Sequence, residues 1–119
     1  MNSANEVTIR QVQERVKKFL EEQGKDWTQI DNRFYLFTHM SEEIGELARH
    51  ITTAEFGLNL DRMEKSPTPR EKMLSLIEDD LGDILYHTFK LAVAYNVDLT
   101  RAIEEAMSNI ERRYRIKPR

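Results

Sequence analysis

Apolar residues recur every three or four positions through most of the chain, which is the spacing of amphipathic helices. Helix one is predicted from about Ile9 to Gln23, and helix two from about Asn32 to Phe56. Helix three is predicted to run from Pro69 to about Tyr95, and a fourth helix follows Asp98. No stretch alternates between apolar and polar residues strongly enough to predict a β-strand, so the sequence predicts an all-α fold.

Polar residues that can satisfy free backbone N–H groups mark the starts of these helices. At the first and third starts a later residue, Gln11 or Glu71, completes the spacing of a capping box. Pro69 suits the first turn of helix three, and Gly24 suits the left-handed position that ends helix one. The predicted N-cap residues are, in chain order, Thr8, Asp31, Thr68 and Asp98.

Each predicted helix has one apolar face, and we expect these faces to form the core. The residues are Val12, Val16, Phe19 and Leu20 in helix one; Phe37, Met40, Ile44, Leu47, Ala48 and Ile51 in helix two; Met73, Ile77, Leu81, Ile84, Thr88, Leu91 and Ala92 in helix three; and Leu99, Ala102, Ile103, Ala106, Met107 and Ile110 in helix four. Two of the helices are long for so small a chain, which can hardly cover their apolar faces alone. We therefore expect a homo-oligomer, a dimer or a dimer of dimers, in which two chains complete a four-helix core.

Composition narrows the class of protein. With 119 residues, the chain is expected to form a single domain over residues 1–119. A net charge of −3 argues against general nucleic-acid binding, and the absence of cysteine excludes disulfides and thiolate metal sites. The sequence shows neither an apolar signal segment nor an apolar run of about 20 residues, so we expect a cytoplasmic protein without a membrane partner.

Two short acidic strings carry the candidate chemistry. The first lies in helix two, from Ser41 to Glu46, and the second in helix three, from Glu78 to Asp83. Each contains two carboxylates three residues apart, which are neighbours on a helix surface. These pairs border the apolar faces, whereas Glu42 lies farther toward solvent. The members of the two pairs are Glu43 and Glu46, and Asp80 and Asp83.

Packed helices lie about 8–10 Å apart, so two facing carboxylate pairs can converge on one point. Four like charges would repel one another there, and a divalent cation would relieve that repulsion. Oxygen ligands suit Mg²⁺ or Mn²⁺, and Mg²⁺ commonly takes substrate phosphates as further ligands. The residues alone thus leave two interpretations, a metal site for a polyphosphate and a solvated acidic surface.

The order of these motifs resembles that of MazG-like nucleotide pyrophosphohydrolases. This family carries Glu-Glu-x-x-Glu on one helix, as in Glu42 to Glu46, and Glu-x-x-Asp on the next, where this chain has Asp80 to Asp83. The stretches from Leu91 to Leu99 and from Glu111 to Tyr114 also look typical. Some resemblance to the dCTP pyrophosphatase branch lies in Asp-Trp-x-Gln around Trp27, sixteen residues before Glu43.

The resemblance implies Mg²⁺-dependent hydrolysis of (deoxy)nucleoside triphosphates to the monophosphate and pyrophosphate, in nucleotide housekeeping or pool control. It assigns Mg²⁺, with Mn²⁺ as a substitute, to Glu43, Glu46, Asp80 and Asp83. The catalytic carboxylates would be Glu42, Glu43 and Glu46. Glu42 would either support the metal ligands or help to orient the attacking water. Asp80 departs from the family pattern because it is one methylene shorter than the usual glutamate.

The resemblance also implies residues that contact the substrate. Trp27 would stack on the base, and Arg113 would contact phosphate. The family commonly has a lysine four residues before that arginine, where this chain has Asn109. His87, one turn after Asp83, is a candidate for a hydrogen bond to the base, sugar or phosphate. Packing or solvation remains the alternative interpretation for each of these residues.

Other features leave further expectations. His39 and His50 are in phase with the acidic string of helix two. Either could donate a hydrogen bond to a metal ligand, but we expect both to be surface residues. The segment from Thr52 to Arg70 is longer than in many family members and is expected to form either a lid or a dimer contact.

Three rival functions remain. A di-iron bundle requires Glu-x-x-His, which neither acidic string contains. A phosphoribosyl-ATP pyrophosphohydrolase would keep the metal site and change the substrate. A non-enzymatic interaction protein would retain only the fold.

Overall fold

A computed structural model describes residues 6–24, 30–59 and 61–115. Within these ranges the chain forms α1 (Ile9–Glu22), α2 (Ile30–Phe56), β1 (Leu58–Asn59), β2 (Glu64–Lys65), α3 (Arg70–Ala94) and α4 (Leu99–Tyr114). The four helices confirm the predicted all-α fold. None of them contains an apolar stretch of the length that a membrane span requires.

Three of the predicted helix ends are confirmed. The backbone N–H of Gln11 donates to Thr8 Oγ1 at 3.0 Å, and the backbone N–H of Thr8 donates to Gln11 Oε1 at 2.7 Å. Gly24 has a φ of +71°, the left-handed conformation expected after α1. Asp98 caps α4 by accepting a hydrogen bond from the backbone N–H of Thr100 at 3.0 Å.

Two predicted helix starts are wrong. Helix α2 begins at Ile30, so Asp31 lies in its first turn instead of at the N-cap. Helix α3 begins at Arg70, and the N-cap is Pro69, whose ψ of 149° is extended and which makes no side-chain cap. The backbone N–H of Thr68 donates instead to Ser66 Oγ at 3.2 Å. The chain entering α3 is thus arranged by the preceding ribbon and not by a capping box.

A short antiparallel ribbon connects α2 to α3, and the sequence did not predict it. Leu58 pairs with Lys65, and Asn59 pairs with Glu64. Strands of two residues are too short to show an alternating pattern of apolar and polar residues, so the sequence could not predict the ribbon. An ion pair of 2.8 Å between Arg70 Nη2 and Glu55 Oε1 joins the two helix ends beside the ribbon.

Helices α2 and α3 run antiparallel and pack along their lengths, since His50 lies beside Asp80 while His39 lies beside His87. Helix α1 packs on α3, and α4 packs on α1. Gln13 of α1 fixes the turn between α3 and α4. Its Nε2 donates to the backbone carbonyl of Val97 at 2.7 Å, and its Oε1 accepts from the backbone N–H of Leu99 at 3.0 Å.

The predicted apolar faces are only partly buried within one chain. Leu36, which the face of helix two omitted, is fully buried, whereas Phe37, Ile44 and Leu81 are 58%, 47% and 50% exposed. The chain exposes 9746 Å², about 3,000 Å² more than a compact monomer of its mass. Its radius of gyration is 18.1 Å, against about 13.5 Å for a compact domain of this length. Packing of one chain therefore leaves many large apolar side chains uncovered.

Candidate metal centre

The facing sides of α2 and α3 carry a row of polar residues, which we call the polar seam. Most of its members lie three or four positions from the next, and Lys72 lies about two turns before Asp80, so on each helix they share one broad face. On α2 they are Tyr35, His39, Glu42, Glu43, Glu46, Arg49, His50 and Thr53. On α3 they are Lys72, Asp80, Asp83, His87 and Lys90.

Carboxylates from both helices meet at the middle of the polar seam. Oxygen atoms of Glu43, Asp80 and Asp83 lie within 4.8 Å of one another. Asp80 is 3% exposed, Glu43 is half-buried and Asp83 opens to solvent. Glu46 lies close enough for its charge to act on Glu43. The predicted convergence of two acidic pairs is therefore present in the fold, with Glu46 at its edge.

The electrostatics of this cluster are those of a site that lacks compensating charge. Burial raises the pKa of the Glu43 carboxyl above its ordinary value, and the negative charge of Glu46 raises it further. Asp83 and Asp80 act in the same direction, while His39 opposes them. Ionisation of such a carboxyl costs free energy, and the attraction of a bound cation would offset that cost.

His50 orients the buried carboxylate of the cluster. Its Nδ1 lies 2.5 Å from Asp80 Oδ2, and its Nε2 lies 4.0 Å from Glu46 Oε1. The expectation of a surface role for His50 is therefore wrong. The signal was present in the sequence, because four residues separate His50 from Glu46 and place both on one helix face. What the spacing did not reveal was Asp80 on the facing helix.

His39 and His87 form a second polar contact on the same seam. Their ring centroids are 4.5 Å apart, and His39 Nε2 lies 3.8 Å from Glu43 Oε1. Both Nδ1 atoms are buried without a hydrogen-bond partner among the described residues. Burial lowers the pKa of the His87 imidazole, so the neutral ring is favoured. The His39 side chain is still 39% exposed, so its expected surface position is not contradicted, although the ring also contacts His87.

The chain matches the family model of the MazG nucleotide pyrophosphohydrolase domain over residues 35–116. The matched region includes both acidic strings and the whole polar seam of α3. The chain belongs to this family. Comparisons with curated proteins and with solved structures found no match.

MazG domains generally use divalent metal ions, and the polar seam fits one. The ligand set of Glu43, Asp80 and Asp83 is all oxygen, which favours a hard cation. The buried Asp80 is hydrogen-bonded by His50, as carboxylate ligands of metals commonly are by a neighbouring group. Two further sets have ligand atoms within 4.8 Å and include nitrogen: Glu46, His50 and Asp80, and His39, Glu43 and His87.

The remaining site residues predicted for a MazG enzyme are placed differently. Glu42 lines a cavity together with Glu46, next to the carboxylate cluster. Asn109 and Arg113 are exposed on α4, and no contact among the described residues brings them to the cluster. Asn109 accepts a hydrogen bond from Arg112 instead. Trp27 lies outside the described residues, so its base-stacking role stays a prediction.

Proposed function

We propose that this MazG domain hydrolyses nucleoside triphosphates to the monophosphate and pyrophosphate with Mg²⁺. The observation that carries the proposal is the meeting of Glu43, Asp80 and Asp83 from two helices within 4.8 Å. Glu46 is the fourth ligand that we assign. Mn²⁺ prefers similar oxygen ligands and is the expected substitute.

The residues of the polar seam would have different roles in the reaction. The bound metal ion would neutralise phosphate charge and lower the pKa of a water. His50 keeps the Asp80 carboxylate in one orientation, and Asp83 and Glu43 complete the oxygen ligand set. Glu42 stands at the solvent side of the cluster, where a carboxylate can orient a water and accept its proton.

The end of the seam next to α1 suits a nucleobase. A cavity of about 230 Å³ there is lined by Tyr35, His39, Tyr86 and Lys90, together with residues of α1. Aromatic rings stack on bases with about 1–3 kcal/mol per base, and the imidazole and ammonium groups supply hydrogen-bond donors. His87, whose ring packs against His39, is available to hold that ring in position. This end therefore favours a nucleotide over a simple polyphosphate.

A second copy of the chain is part of the proposal. The exposed apolar residues of α2 and α3 lie on the side of these helices away from the polar seam, where they can pack against the same residues of another chain. We propose a homodimer, or a dimer of dimers, built on this surface. Asn109 and Arg113 could then contact phosphate only across chains. We also propose that the protein acts in the cytoplasm.

The decisive experiment is a substrate panel. Purified protein is incubated with the ribo- and deoxyribonucleoside triphosphates, several oxidised nucleotides and phosphoribosyl-ATP, with Mg²⁺, with Mn²⁺ or with a chelator. Phosphorus NMR identifies the products. We expect a nucleoside monophosphate and pyrophosphate in the presence of metal only.

Three outcomes would change the conclusion. Preference for phosphoribosyl-ATP would show that the protein is a phosphoribosyl-ATP pyrophosphohydrolase that uses the same metal site. Release of orthophosphate would contradict pyrophosphohydrolysis. Absence of any turnover in protein that binds Mg²⁺ would favour a non-enzymatic interaction protein.

A further inference from the structure

A large cavity among the described residues lies at the opposite end of the polar seam, and we call it the distal cavity. Its volume is about 830 Å³. Helix α2 forms one wall and the start of α3 forms another. The third wall consists of residues between these helices, namely Asn59, Asp61, Ser66 and Thr68. Glu42, Glu46 and His50 lie on its rim, so the cavity opens directly onto the carboxylate cluster.

The chemistry of the distal cavity differs from that of the base-binding end. Among the described residues no phenylalanine, tyrosine or tryptophan lines it, and its large apolar residues are Met73 and Leu76. Beyond the acidic rim its charged groups are Arg49, Lys72 and Asp61. The cavity also contains hydroxyl groups, and it offers no surface on which a base could stack. Cations and hydroxyls without aromatic rings are suited to phosphate groups.

The two basic side chains of the distal cavity differ in their ion pairing. Arg49 Nη1 lies 3.6 Å from Asp61 Oδ1, which belongs to the turn of the ribbon. Lys72 makes no ion pair with a carboxylate of the described residues, and it stands on the first turn of α3. The three charges leave one net positive charge beyond the rim. An incoming phosphate would thus meet an unpaired ammonium group and compete with Asp61 for the guanidinium group.

The order of groups along the seam matches the order of groups in a nucleoside triphosphate. Aromatic and imidazole side chains come first, the carboxylate cluster follows, and the cations of the distal cavity come last. We propose that the distal cavity binds the pyrophosphate end of the substrate, and that Lys72 and Arg49 are the positioning residues that hold it. This inference rests on the proposed function and gives the substrate one direction in the site.

The ribbon gives this end of the site a defined wall. Thr53 Oγ1 donates to the Leu58 carbonyl at 2.8 Å, and the backbone N–H of Ser66 donates to the Gly57 carbonyl at 2.8 Å. The first bond ties the start of the ribbon to α2, and the second ties the end of the ribbon to Gly57, the residue that follows α2. The long segment between the two acidic strings, which the sequence left as a lid or a dimer contact, thus completes the distal cavity and carries Asp61 to Arg49.

The test measures binding of inorganic pyrophosphate to the full chain with Mg²⁺ by isothermal titration calorimetry. Lys72→Gln should raise the Kd for pyrophosphate about five- to tenfold, since one charge-assisted contact is lost. Arg49→Gln should act in the same direction. Asp61→Asn should lower the Kd about two- to threefold, because it removes a like charge and releases Arg49. Lys65→Gln removes an exposed lysine of the ribbon that does not line the cavity, and it should leave the Kd unchanged.

Opposite signs for Lys72→Gln and Asp61→Asn, with unchanged thermal melting, would establish the site. An unchanged Kd in Lys72→Gln, or no pyrophosphate binding by the unaltered protein, would overturn it. If the substrate panel identifies a monophosphate product, Lys72→Gln should leave its Kd unchanged, and an equal loss for both products would contradict the proposed direction. Pyrophosphate binding through Lys72 without triphosphate hydrolysis would overturn the proposed function but not this site.

Discussion

The two faces of the α2–α3 pair are opposite in character, although the same two helices carry both. One face is the polar seam, where carboxylates, imidazoles and cations lie between the helices or on the edge of their contact. The other is the outer apolar face, where Phe37, Ile44 and Leu81 remain about half exposed. The chain thus folds its polar residues inward along one line and leaves large apolar residues outside.

We attribute function to the polar seam and stability to the outer apolar face. Carboxylates gathered beside Asp80 raise the free energy of the metal-free fold, because they repel one another and because Asp80 is buried and Glu43 is half-buried. Covering the outer apolar face would contribute about 25 cal/mol for each Å² removed from water. We therefore interpret the polar seam as built for a cation and substrate, and the outer face as built for a second chain.

Removing one metal ligand from the seam should have the largest effect. Asp83→Asn or Glu46→Gln should lower the rate of pyrophosphate release by about 1,000-fold, because several kcal/mol of charge stabilisation are lost. Circular dichroism and molar mass should stay unchanged. Asp79→Asn removes an exposed carboxylate one residue before Asp80 and is the matched control. Full activity of either ligand variant would exclude the proposed metal centre.

A charge on the outer apolar face should prevent the proposed homo-oligomer from forming without changing the polar seam. Leu81→Glu should weaken self-association at least about 100-fold, because a carboxylate would be buried without a partner. Ser75→Glu places the same charge on the solvent side of α3 and should have no effect. Light scattering after size-exclusion chromatography measures the molar mass. Association of Leu81→Glu equal to that of the unaltered chain would refute this use of the face.

Loss of the imidazole that orients Asp80 should have a smaller effect. His50→Gln is expected to raise the Mg²⁺ concentration for half-maximal activity about 10- to 100-fold, since groups that position metal ligands contribute on this scale. The variants His50→Gln and Asp80→Asn and their double variant form a thermodynamic cycle. Strong non-additivity is expected for a direct contact. Additive losses would show that His50 acts elsewhere.

The smallest effect concerns the pH dependence of stability without metal. The pKa of Glu43 is raised in the fold, so its contribution to stability is present below the ordinary value of 4.5 and is lost as pH rises through the folded value. The groups that face it are Glu46, Asp83, Asp80 and His39.

Glu43→Gln should therefore melt at a higher temperature than the unaltered chain at neutral pH in a chelator. The difference should shrink as pH falls below about 4.5. Thermal melts across this range measure it, and saturating Mg²⁺ should reverse its sign. A difference that does not change with pH would attribute the effect to packing instead.

Much of the fold follows from local patterns in the sequence. Helical spacing predicts the four helices, and the side chains of Thr8 and Asp98 predict two starts, because a cap satisfies backbone groups within three residues. The start of α3 was predicted wrongly because the conformation of the residues before it depends on the ribbon. The ribbon in turn depends on pairing between residues 58–59 and 64–65, which local sequence patterns do not show. The division of the apolar residues into a buried and an exposed set also depends on which helix lies beside which.

For the site, the sequence by itself determined which residues share a helix face, and hence the pairs Glu43 with Glu46 and Asp80 with Asp83. The family resemblance added the chemistry expected of them, and the match over residues 35–116 confirms that family. Only the tertiary structure decided that His50 contacts Asp80, that His39 contacts His87, and that Lys72 faces Arg49 across a cavity. The reason is physical. Residue spacing fixes the direction of a side chain around its own helix, whereas a neighbour from another element depends on how the two elements pack.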